Sequence, residues 1–214
     1  MKKRLKYTKI EDATGYIRNG DVGDSALIAA YPFNGNANDV SGNGYNATNN
    51  GATLTTNRFG QADKSYSFDG VDDYMTLPNI NIGTTHSVRT RVKLNSYGGM
   101  ILGGGGDYYI GYNNSTQIYY KSGIPNNLIR FDYILPLNIW IDIMFIRIET
   151  DVHLYINSRY IGTKILPFNY SFTLTEIGIN NGIFNFDGTI DEIDIYNRAL
   201  NQYESNNLFW ETYN

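Results

Sequence analysis

Cysteine is absent from all 214 residues, which excludes disulfide staples, thiolate catalysis and any cysteine metal site. Histidine is scarce: His86 and His153 stand far apart without metal-ligand spacing, and both read as strand or surface residues. No Ser-His-Asp arrangement is apparent. No stretch approaches the roughly 18 apolar residues of a membrane span. The opening MKKRLKYTKIEDATGYIRNGD lacks the apolar run of about 7–15 residues that a signal peptide needs. The expectation is a protein made and folded in a cytoplasm, whatever its final location. No long segment keeps a 3.6-residue apolar period, so helix is a minor part.

Charge is uneven. Six basic residues face four acidic ones up to Ser25, while eleven face seventeen in the remainder, for a net charge of −4. An acidic body with a short basic arm argues against nucleic-acid binding by the body. The only compositional break falls before Ser25, which divides the chain into an arm, residues 1–25, and a domain, residues 26–214.

What is abundant is Tyr, Ile, Asn and Gly. β-Branched and aromatic residues broken by Gly and Asn are the composition of strands and tight turns. Candidate strands run Ala26–Tyr31, Ser65–Phe68, Tyr74–Leu77, Ser87–Leu94, Tyr108–Tyr112 and Gln117–Lys121. They continue with Leu128–Tyr133, Trp140–Ile148, Val152–Ile156, Thr173–Ile177 and Gly188–Tyr196. Such spacing predicts an all-β, antiparallel two-sheet sandwich or jelly roll. In Ser87–Leu94, Val88, Thr90, Val92 and Leu94 alternate with Ser87, Arg89, Arg91 and Lys93, predicting one buried and one wet face. In Gly188–Tyr196, Asp191 shares a face with Ile193 and Ile195, while Glu192, Asp194 and Tyr196 take the other and present carboxylates along a rim.

IWIDIMFIRI is apolar on both faces and reads as a central strand. Trp140 is placed in its core, where truncation to Ala would cost about 3–5 kcal/mol. Gly103 to Gly106 reads as a flexible turn rather than a phosphate cradle, because a strand-like DYYIGY follows instead of a helix. Near the end, Asn201 and Glu204 have capping-box spacing for a short C-terminal helix, with Leu208, Phe209 and Trp210 fastening it to the sandwich.

Four ordered motifs carry a family resemblance. They are Tyr31-Pro32-Phe33 with the turn Asn36 to Gly44; Phe59-Gly60, Ser67-Phe68-Asp69-Gly70 and Asp72-Asp73-Tyr74; the middle LNIWIDIMFIRIETDVHLYINSRYIGT; and the closing IDEIDIYNRAL. Together they resemble a laminin G-like domain of the concanavalin A-like lectin/glucanase superfamily, over about Leu27 to Glu204. The resemblance implies a concanavalin A-like jelly roll that brings the two chain ends together. It also implies one structural calcium between opening turn and closing strand, with Asp39, Asn43 and Asp191 as ligands. The alternative is that Asp39 and Asn43 only close Asx-turns on their own backbone. Glu192-Ile193-Asp194 is similar to the catalytic strand of laminarinase-type glucanases, which share the class. Tyr196 and Asn197 stand where the second glutamate would be, so the expectation is no enzyme.

Tyrosines crowd the middle third. Tyr108, Tyr109, Tyr112, Tyr119 and Tyr120 define a zone where sugar rings would stack, beside the plainer reading that strands are tyrosine-rich for packing. The expected function is a non-catalytic adhesion or structural module of a larger assembly such as a phage virion or another extracellular particle. In that setting the arm would contact other protein subunits and the domain would display a surface for glycans, with no membrane insertion. The alternative is a free carbohydrate-binding module, and the glucanase-like hydrolase is the lesser one.

Overall fold

The computed structural model describes residues 25–210 apart from 106, 115, 125 and 183. The arm expected over residues 1–25 thus lies outside the described residues, Ser25 excepted.

The chain runs through β1 (Leu27–Tyr31), β2 (Thr48–Asn50), β3 (Thr53–Thr55), β4 (Ser65–Asp69), β5 (Tyr74–Gly83), β6 (Thr85–Leu94), β7 (Met100–Gly104) and β8 (Tyr108–Asn114). It continues with β9 (Gln117–Ser122), β10 (Leu128–Asp132), β11 (Trp140–Ile148), β12 (Asp151–Ile156), β13 (Arg159–Ile165), β14 (Phe172–Ile177), β15 (Asp187–Tyr196) and helix α1 (Gln202–Trp210). The strands form two antiparallel sheets. One is ordered β13-β12-β11-β6-β15-β4-β3, with β1 also paired to β15; the other is β10-β9-β8-β7-β14-β5-β2. Together they make the expected jelly-roll sandwich, and β1 lying against β15 joins the two ends of the domain.

Period-2 alternation fills the space between the sheets. Val88, Val92 and Leu94 of β6 and Ile141, Ile143 and Phe145 of β11 face Ile110, Tyr112, Ile118 and Tyr120 of the opposite sheet in one apolar cluster. Pro78 lies inside β5, where the pairing with β14 shifts register between Leu174 and Glu176. A bulged site of this kind tolerates a residue that cannot donate to the ladder.

The C-terminal helix forms as its capping residues predict. Asn201 Oδ1 accepts the backbone N–H groups of Tyr203 (2.9 Å) and Glu204 (3.0 Å), and Glu204 Oε2 accepts that of Asn201 at 2.8 Å. Leu208 then packs with Leu27, Ala30, Met144, Ile146, Tyr196 and Leu200 on the outer face of the larger sheet.

That helix overturns one expectation. The face of β6 read as wet carries Arg89 and Arg91, yet they are only 1% and 4% exposed. Both guanidinium groups donate to the carbonyl of Leu208, at 2.8 and 2.9 Å, and so cap a helix whose last turn holds no basic residue of its own.

The parity of β15 differs too. A register shift between Ile190 and Glu192 makes Asp191 the extra residue of a bulge. Asp191 therefore leaves the face of Ile193 and Ile195 and meets the same Arg58 nitrogen as Glu192. Trp140 is half-buried rather than core: it opens β11, with Lys93 Nζ 5.4 Å from its ring centroid. Finally, Gly103 and Gly104 belong to β7 rather than to a flexible turn. A Cβ would lie 2.3 Å from Ile179 O at Gly103 and 1.9 Å from Thr173 O at Gly104, so close backbone approach requires glycine at both.

Candidate functional site

The β7–β8 turn, the β9–β10 turn and the start of β14 all fall at one end of the smaller sheet. Together with Asn79 of β5 they line an open cleft of about 540 Å³, within the span of ligand sites. Two aromatic rings line it, Tyr108 and Tyr170, with Thr173, Thr175, Asn79 and Asp107 among them. Tyr108 is half-buried, its ring edge-on to Phe172 with centroids 5.6 Å apart. Tyr170 is 40% exposed. None of the side chains of Asn79, Tyr108, Tyr170, Thr173 and Thr175 hydrogen-bonds to a described residue, so their polar atoms stay available around one concavity.

The wall carrying Tyr170 is braced from beneath. Ser122 Oγ donates to Tyr170 O at 3.0 Å and accepts from Arg147 Nη1 at 2.8 Å. Arg147 Nη2 reaches Asn169 Oδ1 (3.1 Å) and its Nε reaches Glu149 O (2.6 Å). Asn127 bonds the chain at Phe168 in both directions, accepting its N–H at 2.9 Å and donating to its carbonyl at 3.0 Å, and also donates to Ser122 O. Gly123, at φ +87°, lies under the Tyr170 ring, where a Cβ would come within 3.0 Å of it.

Arg147 is fully buried, and no ion pair to it is seen among the described residues. Its neighbour His86 donates from Nδ1 to Gly83 O at 3.2 Å, which leaves Nε2 to accept from the Tyr120 hydroxyl at 2.7 Å. Burial, reinforced by the Arg147 charge, pushes the His86 pKa down to about 3, so the ring is neutral. Burial likewise raises the Tyr120 hydroxyl above its ordinary value.

The predicted tyrosine zone divides between the sandwich core and the outer side of the smaller sheet, where Tyr119 is still only 8% exposed. Tyr112 and Tyr120 are core residues, 1% and 0% exposed, and so offer no stacking face. Tyr108 reaches the cleft. Tyr109 and Tyr119 alternate with inward Ile110 and Ile118, and their rings are capped by Lys121 Nζ at 5.5 Å and by Arg130 at 5.3 Å. Lys121 also pairs with Asp107 at 2.9 Å, which ties this outward face to the cleft rim. Sequence reasoning missed Asn79, Tyr170, Thr173 and Thr175.

The three residues expected to hold calcium do not form one donor set. Asp39 Oδ1 accepts N–H from Ala30 and Ser41, both at 2.9 Å; its Oδ2 accepts from the Ser41 hydroxyl (2.8 Å) and Tyr45 N–H (3.0 Å). Asn43 Nδ2 donates to the carbonyls of Leu27 (3.0 Å) and Ile28 (2.9 Å). Asp39 thus closes an Asx-turn on Ser41, as the alternative reading has it, whereas Asn43 makes none and instead ties the turn down onto β1. Ala30 pairs with Asp194, whereas Asp191 lies three residues further along β15, at its bulge, and is turned to Arg58. Calcium ligands sit at about 2.3–2.6 Å. Among the described residues, the acidic side chains that do converge are Asp69, Asp72 and Asp73, with ligand atoms within 4.8 Å of one another.

The carboxylates of β15 are sequestered under α1. Glu192 pairs with Arg91 (2.8 Å) and Arg58 (3.1 Å), and Asp194 pairs with Arg89 (3.1 Å). Asp142 joins from β11, at 2.8 Å from Arg89 and 3.1 Å from Arg91. Burial and the Glu192 charge push Asp191 up to about 7 against the opposing pull of Arg58. A glycosidase pair must reach substrate and water; Glu192 and Asp194 are 2% and 1% exposed.

The family model for the concanavalin A-like lectin/glucanases superfamily matches residues 69–204. No curated protein sequence matches the chain. Among solved structures, domain 4 of AbnA, an extracellular arabinanase from Geobacillus stearothermophilus determined with arabinotriose, superposes with a TM-score of 0.70 at 20% identity, covering 85% of this chain and 97% of that one. The binding domain of Paraclostridial Mosquitocidal Protein 1 gives 0.68 at 16% identity, covering 86% and 52%. A botulinum neurotoxin type C structure, from a protein whose cell entry depends on two ganglioside molecules, gives 0.65 at 14% identity, covering 88% and 51%. The chain thus spans about half the length of the two toxin structures. At these identities the likeness is one of fold.

Proposed function

The chain belongs to the concanavalin A-like lectin/glucanases superfamily as a laminin G-like domain, and we propose that it is a non-catalytic module that binds glycans in the cleft between Tyr108 and Tyr170. The observation that carries this reading is the convergence of two tyrosine rings with unpartnered amide and hydroxyl groups in one concavity. Sugar rings present an apolar face for stacking on an aromatic ring and a fringe of hydroxyls for polar side chains. The arabinanase domain with arabinotriose and the neurotoxin with its gangliosides are similarly folded proteins that engage carbohydrate, which supports the choice of ligand class. The ion pairs that hold Glu192 and Asp194 support the absence of glycosidase chemistry.

A glycan array on the intact chain, followed by calorimetry on Tyr170→Ala, tests the reading. Binding that Tyr170→Ala abolishes while the melting temperature holds is the expected outcome. An array without signal removes the proposal, and retained binding in the variant removes the cleft as its seat. The finer reading, display on a virion or other particle through residues 1–25, is motivated by the basic arm preceding an acidic domain. Native mass measurement tests it: a defined oligomer supports it and a monomer opposes it.

A further inference from the structure

We propose that the cleft selects neutral oligosaccharides and rejects glycans carrying a carboxylate, an inference that rests on the glycan-binding reading and names its ligand class. Asp107, at the rim, is the one charged residue among those lining the cleft. A sugar carboxylate is held in proteins by charge-assisted donors from Arg or Lys, or by the N-terminus of a helix. Here the single helix among the described residues packs on the outer face of the other sheet.

Two cations lie nearby, and neither is among the residues that line the cleft. Lys121 Nζ is 2.9 Å from Asp107 Oδ1 and 5.5 Å from the Tyr109 ring centroid. Arg147 is fully buried behind Ser122, with Nε, Nη1 and Nη2 directed at Glu149 O, Ser122 Oγ and Asn169 Oδ1. An acidic sugar entering the cleft would give up hydration and meet the Asp107 carboxylate, which already engages the Lys121 ammonium, while no lining residue offers a cationic donor in return.

A neutral sugar meets the opposite situation. The hydroxyls of Tyr108, Tyr170, Thr173 and Thr175 and the amide of Asn79 each both donate and accept, matching sugar hydroxyls in either sense. Asp107 adds an acceptor. It therefore contributes to binding a neutral chain and acts as the specificity-determining residue against an acidic one.

The test uses calorimetry on the intact chain with matched oligosaccharide pairs that differ only in a terminal sialic acid or uronic acid, plus neutral arabino-oligosaccharides, at low and high salt. The expected result is binding of a neutral member, insensitive to salt, and at least about tenfold weaker binding of its acidic counterpart. Asp107→Asn should narrow that gap. Equal or tighter binding of the acidic member, or binding that weakens as salt rises, overturns the proposal while leaving the glycan reading intact. No binding to either series overturns both.

Discussion

Arg147 and Tyr170 are joined through a single hydroxyl: Ser122 Oγ accepts from the guanidinium at 2.8 Å and donates to the Tyr170 carbonyl at 3.0 Å. The buried cation thereby holds the aromatic wall of the cleft. Ser122→Ala leaves one guanidinium N–H and the Tyr170 carbonyl without that partner, at a cost of about 1–3 kcal/mol for a buried donor so orphaned. Urea unfolding should register that loss, and affinity for any cleft ligand should fall with it as Tyr170 is released. Unchanged stability would show that Arg147 finds another acceptor and that the brace is dispensable.

Trp140→Ala should cost about 1–2 kcal/mol, because the ring is half-buried at the start of β11 and the truncation removes contact area more than it opens a cavity. Phe145→Ala on the same strand, where the ring is 1% exposed, should cost about 3–5 kcal/mol. Side-by-side denaturation of the two variants checks the ranking. Equal losses would mean that Trp140 is as enclosed as its neighbours.

The sandwich was legible because alternation and turn residues are local signals. Val88, Thr90, Val92 and Leu94 declare an inner face, and Asn201 with Glu204 declares a helix start. Three of the differences have physical causes that local signals omit. Arg89 and Arg91 alternate as a wet face does; nothing in β6 reveals that α1, over a hundred residues on, lies across them. One bulge residue inverts the parity of Asp191. The glycines of β7 look flexible until backbone from Ile179 and Thr173 is seen against them. The tyrosine zone was half legible, since its parity with Ile110 and Ile118 sorts Tyr112 and Tyr120 inward and Tyr109 and Tyr119 outward. Tyr170, Thr173 and Asn79 come from segments that only the pairing of β14 with β5 and β7 brings to Tyr108.

Two buried groups set opposing pH dependences. His86 titrates at about 3 when folded and 6.5 when free, so its contribution is present above pH 6.5 and is lost as pH falls toward 3. Asp191 titrates at about 7 when folded against 3.8 when free, so its contribution is present below pH 3.8 and is lost as pH rises through 7. Between these limits the two partly cancel. Asp191→Asn removes the second alone, so the stability of the variant relative to the parent should rise steadily from about pH 4 to about pH 7. Melting curves across that range check the sign. A constant difference would mean that Arg58 keeps Asp191 ionised throughout.

Calcium provides the last test. If an ion were clamped by Asp39, Asn43 and Asp191, calcium at a hundred times its dissociation constant would stabilise the fold by about 2.7 kcal/mol. The geometry opposes such a clamp. Both Asp39 oxygens already accept two hydrogen bonds each, the Asn43 amide donates to two carbonyls, and Asp191 faces Arg58 at 2.6 Å. An ion at Asp39 would have to displace N–H donors that fix the opening turn on β1. The expected outcome is therefore one melting temperature in excess calcium and in chelator, together with a loss of about 1–3 kcal/mol in Asp39→Ala from the orphaned N–H groups, independent of calcium. A calcium-dependent rise that vanishes in Asp39→Ala would establish the clamp. A rise that survives there and vanishes in Asp72→Ala would locate the ion at the Asp69-Asp72-Asp73 turn instead, where the carboxylates already converge.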